Sequence, residues 1–537
     1  MVTATSPLAF LLAQSPVEQF RRNLLDDTFA GIHQLSWFDY ALLVPYFGIL
    51  LILSFYGCHR YEIIRRYFKH RGKTNREPGA RFDELPPVTI QLPIYNERYV
   101  VERLLEAVTK IEYPRDKLQI QVLDDSTDET HAFAERLVNG YRARGHNIDY
   151  RHRGNRHGFK AGALQEGMTS ATGEFFAVFD ADFVPPADFL LRTMHYFTDE
   201  RVGVVQTRWS YINRDSNVLS EVQAILLDGH FVLEHAARFG AGLFFNFNGT
   251  AGILRRRMIE DSGGWQHDTL TEDSDLSYRA QLRGWKFVYL PEVECPSELP
   301  VEMHGFQVQQ SRWAKGLTQV ARKLLPSILR APLPWRTKLE SWAHLTPNIS
   351  YPLMIAVSAL MLPVMVVRFY MGWSQWLFVD LPLIVVNFWS IGAFYLIAQR
   401  ELRPRDWKRS IILMPALLAA GVALTIINTR AVLEALLGVQ TAFQRTPKYA
   451  IGGGKEGLRN AAYRRRTGWL PFAEIAAGLY FVGMIAYAID TYNFLAIPFL
   501  LLFVSGYFWS GFGTLWQEYQ GRVRFERERR LEASQAR

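Results

Sequence analysis

The stretch LQIQVLDD, Leu118–Asp125, is an apolar alternation that runs directly into two carboxylates. Ile, Val and Leu alternating with Gln read as a buried strand, and the two acids mark its carboxyl end. Outward from it the same signal recurs on both sides. VTIQLPI (88–94) reads as a preceding strand, with a helical pattern from Glu97 to Lys110 between the two. A helix to about Arg144 follows, then a third strand, IDYRHR (148–153), a helix over KAGALQEGMTSA (160–171) and a fourth strand, EFFAVFDAD (174–182). Strands alternating with helices predict an α/β domain with a mostly parallel sheet and helices on both faces. Ligands of such sheets collect at the carboxyl ends of the strands.

That rule gives the acids their meaning. Asp124 and Asp125 close the second strand, and Asp180 and Asp182 the fourth, so both pairs are expected on one edge of the sheet. In an extended segment, residues two apart point the same way. Asp180 and Asp182 could then share one hard cation, Mg²⁺ or Mn²⁺, of the kind that keeps waters and bridges to phosphates. Aspartate is also a good helix N-cap, and for the DD pair alone that reading stands beside the first. Further on, FNGTAGILRR (247–256) is broken by glycines, which lets backbone approach a ligand closely. TLTEDSDLSYRAQLRGW (269–285) has helical spacing opening at Thr271. There Asp273 is either a first-turn acid, favoured by the helix dipole, or a general base that takes a proton from a hydroxyl.

Charge and hydropathy divide the 537 residues. Residues 86–330 carry 28 Lys and Arg against 32 Asp and Glu, while the remainder carries 32 against 20. The basic excess therefore flanks apolar runs, which points to anionic lipid and membrane topology and away from nucleic acid. Cys58 and Cys295 stand far apart without metal-ligand spacing, so a disulfide or a zinc site is not expected.

The apolar runs set the layout. Residues 39–57 are long enough to span and are followed by a basic segment, which sets the N-terminus outside and the C-terminal end of the run in the cytosol. Further spans are expected at about 349–367, 376–398, 470–489 and 494–513. The basic segments 399–410 and 429–469 both read as cytosolic, so the run at 411–428 cannot cross; 411–440 is expected to be interfacial or re-entrant. The expected order is an N-terminal segment 1–38 with a possible interfacial helix, a span 39–57, a basic cytosolic linker 58–85, the α/β domain 86–330, a membrane domain 331–513 and a cytosolic tail 514–537. A bacterial cytoplasmic membrane is preferred to the Golgi as the setting.

LDDS, KAGAL, FDAD, GTAG, TED and QQSRW stand here in the order and at roughly the spacings of processive family 2 glycosyltransferases. The chain resembles cellulose synthase and, most closely, the cellulose-synthase-like A and C glucan and (gluco)mannan synthases, over roughly 86–325. The resemblance implies a GT-A-like domain that binds a UDP- or GDP-activated hexose and elongates a β-linked polysaccharide. Transfer of one sugar to a membrane lipid is the alternative, and a non-enzymatic transporter or scaffold a third. It implies that Asp124 and Asp125 hold the base and ribose, that Asp180 and Asp182 bind Mg²⁺ or Mn²⁺ under the diphosphate beside Lys160, and that Asp273 is the catalytic base. Gln309 and Arg312 would bind the diphosphate, and Trp313, Gly249 and Thr250 the acceptor. FQRTPK (443–448) resembles the family's gating loop, through Thr446 and Lys448, although Arg445 stands where the pattern has valine. A plain basic loop beside the membrane explains that segment equally well.

Overall fold

The computed structural model describes residues 34–73, 77–371, 382–383, 385–440, 468–491 and 493–535. Seven strands form one sheet: β1 Val88–Ile94, β2 Leu118–Asp124, β3 Ile148–His152, β4 Phe175–Val178, β5 Val202–Tyr211, β6 Gly252–Arg255 and β7 Lys286–Ser297. Their order is β3-β2-β1-β4-β6-β5-β7, and only β6 runs antiparallel to its neighbours β4 and β5. The predicted α/β class and mostly parallel sheet are therefore observed. Helices α2 (Val101–Thr109), α3 (Thr130–Ala143) and α4 (Phe159–Met168) make the crossovers of the first four strands.

Side-chain alternation divides the core in two. Phe175 and Ala177 of β4 pack with α2 and α3 residues on one face, whereas Phe176 and Val178 pack with Ala161 and Leu164 of α4 on the other. Register between β1 and β2 is pinned by buried polar pairs. Thr89 lies opposite Gln119 and Gln91 opposite Gln121, joined at 2.9 and 3.1 Å. A slip of one residue would bury these groups without partners, which is costly.

Among the described residues, four helical stretches are long and apolar enough to cross a membrane: Trp37–His70, Pro347–Met371, Leu470–Asp490 and Phe494–Gln520. The first is helix α1, which continues to His70; most of the expected linker 58–85 is thus helix or adjoining turn. Of the expected span 376–398, residues 376–381 and 384 lie outside the described residues, and the rest is helical. Arg409–Ala423 and Thr425–Leu436 form a pair bent by 42°, a broken span or a re-entrant loop. The break falls at Leu424, with Pro415 inside the first member of the pair. Residues 1–33, where an interfacial helix was expected, lie outside the described residues.

The end of α1 is bound to the α/β domain by charge. Glu340, almost fully buried, accepts from Arg66 at 2.6 Å and Arg238 at 3.0 Å and contacts His59 at 3.2 Å. Burial opposes its charge, but His59, Arg238 and Arg66 hold the carboxyl well below the usual range. Glu340→Ala removes the buried carboxylate that these groups share, leaving Arg238 to Glu234 and Arg66 to Glu62, and is expected to cost about 3 kcal/mol, visible as a lowered Tm of the detergent-solubilised protein.

Candidate active site

The carboxyl ends of β1 and β2 meet in register, Ile94 opposite Asp124, and Asp125 N–H donates to Ile94 O at 2.9 Å. The two acids of LDD then part company. Asp124 is fully buried; its Oδ1 accepts from Ser126 N–H at 2.8 Å and its Oδ2 from Tyr150 OH at 2.7 Å. Both of its oxygens are engaged in shaping the loop, unlike the ligand-facing position that was expected. Asp125 instead takes a two-pronged bond from Arg153, at 2.6 and 2.5 Å. Arg153 also donates to Phe159 O at 2.9 Å, which ties Asp125 to the turn that carries Lys160.

The strand before FDAD stops at Val178, so Asp180 and Asp182 sit in a turn closed by Phe183 N–H to Asp180 O at 3.0 Å. The expectation of an extended segment is corrected here. The turn is anchored where Asp180 N–H donates to Thr250 Oγ1 at 2.9 Å. Lys160 Nζ bridges the two halves of the site, reaching Asp180 Oδ1 at 2.5 Å and Gly249 O at 2.9 Å. Gly249 has φ +81°, and a Cβ placed there would lie 2.9 Å from Asp273 Oδ2. The three non-glycine residues with positive φ among those described, Asn96, Phe159 and Ala251, stand next to Tyr95, Lys160 and Thr250 around this edge of the sheet. Backbone strain of this kind gathers at functional sites.

Asp273 lies in the first turn of α5 (Glu272–Leu282). Ser274 N–H donates to its Oδ1 at 2.7 Å, which favours the charged form. Burial and the neighbouring Glu272 carboxyl outweigh that bond and push the Asp273 carboxyl up to about 7. The long helix α6 (Met303–Arg330) carries QQSRW. It packs on the residue before α5 at Gly316, where an added Cβ would meet Thr271 backbone N at 2.9 Å. This close approach brings the Arg312 guanidinium within electrostatic reach of Asp180, Glu272, Asp273 and Asp182. Gln309, Arg312 and Trp313 are all partly exposed. A basic carboxylate, a guanidinium and an ammonium thus converge on one cleft.

Residues 86–316 match the family described as "Glycosyltransferase like family 2". The chain carries a family 2 glycosyltransferase domain. Among its curated relatives are "Probable glucomannan 4-beta-mannosyltransferase 11" from Oryza sativa subsp. japonica, 40% identical over 51% of this chain and 51% of that protein, and "Glucomannan 4-beta-mannosyltransferase 1" from Cyamopsis tetragonoloba, 38% identical over 50% and 53%. The chain spans about half the length of these relatives. Among solved structures, a mannosyltransferase from Pyrobaculum calidifontis in complex with GDP-Man and Mn2+ is 24% identical, with a TM-score of 0.47, over 68% of this chain and 98% of that one. The family resemblance read from the motifs is borne out.

Within this glycosyltransferase domain no cluster of three or more His, Cys, Asp and Glu side chains forms a metal cage among the described residues. The donors fit a cation shared with a phosphate ligand. Asp180 and Asp182 offer hard oxygens, Asp180 already draws the Lys160 ammonium, and Mg²⁺ or Mn²⁺ commonly takes one or two carboxylates with waters and phosphate oxygens. Sequence reading missed Arg153 and Glu272. Arg153 follows β3 on the carboxyl edge where ligands collect, which was its one signal. Thr446 and Lys448 lie outside the described residues.

Gly249→Ala tests the packing of this turn. A non-glycine residue in the left-handed region costs about 1–2 kcal/mol, and the new methyl group would press on Asp273. Transfer is expected to fall about a hundredfold with the protein still folded, measured as initial rate against thermal unfolding.

Proposed function

We propose that the chain is a membrane-integrated, inverting hexosyltransferase that uses a UDP- or GDP-activated hexose to elongate a β-linked polysaccharide and passes the product across the membrane. The observation that carries this reading is the position of α6. One face brings Arg312 to the acids of the cleft, and the same helix enters the apolar bundle. There Gln307 Nε2 donates to Glu474 Oε1 and to Ser510 Oγ, both at 2.7 Å.

In this reading Asp125 and Arg153 hold the nucleoside. Asp180 and Asp182 would hold a divalent cation that neutralises charge on the departing diphosphate. Arg312 binds the same phosphates through its planar fork, with Gln309 beside it. Trp313 offers a flat face to the acceptor sugar. Asp273, with its raised pKa, takes the proton from the acceptor hydroxyl as that oxygen attacks the anomeric carbon. One displacement inverts configuration, giving a β-glycoside from an α-linked donor; a retaining route needs a second carboxylate as nucleophile.

Export is supported by a polar stripe among apolar helices. Tyr507, Ser510, Thr514 and Gln517 recur at helical spacing on one face of the helix Ile497–Gln535. Thr514 Oγ1, Gln517 Oε1, Gln307 Oε1 and Glu474 Oε2 are buried without hydrogen-bond partners among the described residues. Such atoms suit a guest rich in hydroxyls. Gln440, the last described residue before 441, lines the cavity beside Lys160 and Glu272; FQRTPK lies outside the described residues. The topology proposed is the one read from charge, with the glycosyltransferase domain cytosolic and the N-terminus outside.

The test is purified protein in lipid nanodiscs given radiolabelled GDP-mannose, GDP-glucose and UDP-glucose with Mn²⁺ or Mg²⁺. Alkali-insoluble polymer supports the reading; one labelled glycolipid species points to single transfer onto lipid; no product from any donor overturns the transferase assignment.

A further inference from the structure

Helix α7 (Trp335–Leu345), which follows α6, is inside out for a helix surrounded by water. Thr337, Glu340, Ser341 and His344 recur at helical spacing and are buried, whereas Trp335 and Leu339 on the opposite face are 68% and 41% exposed. The polar face is seated on two other elements. Glu340 takes the bonds from α1 and Arg238 described above, and His344 Nδ1 lies 2.7 Å from the hydroxyl of Tyr278 in α5. The apolar stripe is thereby held outward.

Trp342, at helical spacing from Trp335 and Leu339, sets the level of this stripe. Its ring packs edge-on to Phe55 at 4.9 Å and parallel to Tyr56 at 6.2 Å, and Tyr56 OH donates to Thr346 O at 3.1 Å. Phe55 and Tyr56 close the apolar stretch of α1, just before its basic segment begins at His59. The exposed face of α7 thus continues the apolar surface of α1 at the point where charge sets in. Arg336 and Lys338 flank the stripe on either side, with Arg336 Cζ 5.7 Å from the Trp335 ring centroid. Buried Glu340 is the only acid between residues 326 and 346, against Arg330, Arg336 and Lys338.

Resting on the membrane-integrated reading above, we propose that the exposed face of α7 is a docking surface for anionic phospholipid headgroups. Trp335 and Leu339 enter the boundary between headgroups and acyl chains, where a tryptophan ring is favoured. Arg336 and Lys338 lay their apolar stems along the same boundary and carry their charges to the lipid phosphates. A second copy of the chain fits this face poorly, because a symmetric contact would set like charges against each other. Free phosphate would satisfy the cations but leave Trp335 and Leu339 in water.

The test uses the full-length protein. A nitroxide label is placed on Trp335→Cys in a Cys58→Ser background, since Cys58 is exposed and Cys295 buried. In nanodiscs it is expected to be relaxed more by dissolved oxygen than by a water-soluble nickel complex. A label open to the nickel complex overturns the proposal, and so does one closed to both reagents, which marks a protein contact. Selectivity is read from Tm in detergent. Added phosphatidylglycerol is expected to raise it. Arg336→Gln/Lys338→Gln is expected to increase the lipid concentration needed for half that gain about thirtyfold, with Tm in lipid-free detergent unchanged. Equal gains from phosphatidylcholine or from inorganic phosphate overturn the proposal, as does a double variant that keeps the wild-type midpoint or is already destabilised without lipid. Neither measurement uses sugar transfer. A protein that stays soluble without detergent removes the membrane-integrated reading itself, a result distinct from these.

Discussion

Replacing Asp273 with asparagine is expected to lower sugar transfer by about a thousandfold while nucleoside diphosphate binding stays within a few-fold of wild type. Asparagine keeps the size of the side chain and can still accept from Ser274 N–H through its oxygen, so helix α5 should stay in place. What it loses is the capacity to take up a proton. The same group sets a pH dependence. A carboxyl pushed up to about 7 must be ionised to act as a base, so activity rises through that region and falls about tenfold per pH unit below it. A cation bound at Asp180 would favour the charged form, which moves the limb of the loaded enzyme to lower pH. In Asp273→Asn the residual rate should lack this acid limb. Full activity in the variant, or an acid limb that survives the substitution, would remove Asp273 from the chemistry.

The parallel half of the sheet was legible because its strands are short stretches rich in branched and aromatic residues, each separated from the next by a helical pattern. Val88–Ile94 was read with its observed limits, and Leu118–Asp124 to within one residue. The far half was not read. β6 has four residues, GILR, and its antiparallel place between β4 and β5 depends on pairing that no local pattern encodes. FDAD was read as extended because the apolar run continues through Phe179 and Ala181, yet these residues pack into the core from a turn. In the site, the family resemblance assigned Asp273 and Arg312 to one cleft, and the Arg312 guanidinium lies within electrostatic reach of Asp273. Their separate surroundings were not legible. Nothing local distinguishes Asp124 from Asp125; Tyr150, 26 positions away, takes the first, and Arg153, 28 positions from the second, takes the other. Likewise the length and apolar character of α1 were evident, but its bond to Glu340 joins segments 274 positions apart.

Asp182→Ala is expected to abolish metal-stimulated transfer, a loss of about a thousandfold, and to remove the gain in nucleotide affinity that Mn²⁺ gives the wild type. Asp180 alone is a poor cation site, because Lys160 already lies against its Oδ1. A second carboxylate is needed to favour a divalent ion over the lysine ammonium. Asp182 supplies it from a nearly buried position in the same turn, within reach of Arg312. Mn²⁺ titrated with GDP or UDP, followed by electron paramagnetic resonance, separates the possibilities. In wild type the ion should bind tightly only with the nucleotide present, since two carboxylates leave most of its positions to phosphate and water. In Asp182→Ala the nucleotide should still bind weakly through the Asp125–Arg153 side while Mn²⁺ stays free. Asp124→Asn supplies the contrast. Its bonds to Ser126 and Tyr150 are structural, so it should lower Tm and leave the Mn²⁺ dependence of the folded fraction unaltered. An Asp182→Ala protein that remains active and is still stimulated by Mn²⁺ would mean that the cation is held elsewhere, and that Lys160 with Arg312 is what stabilises the departing diphosphate in this cleft.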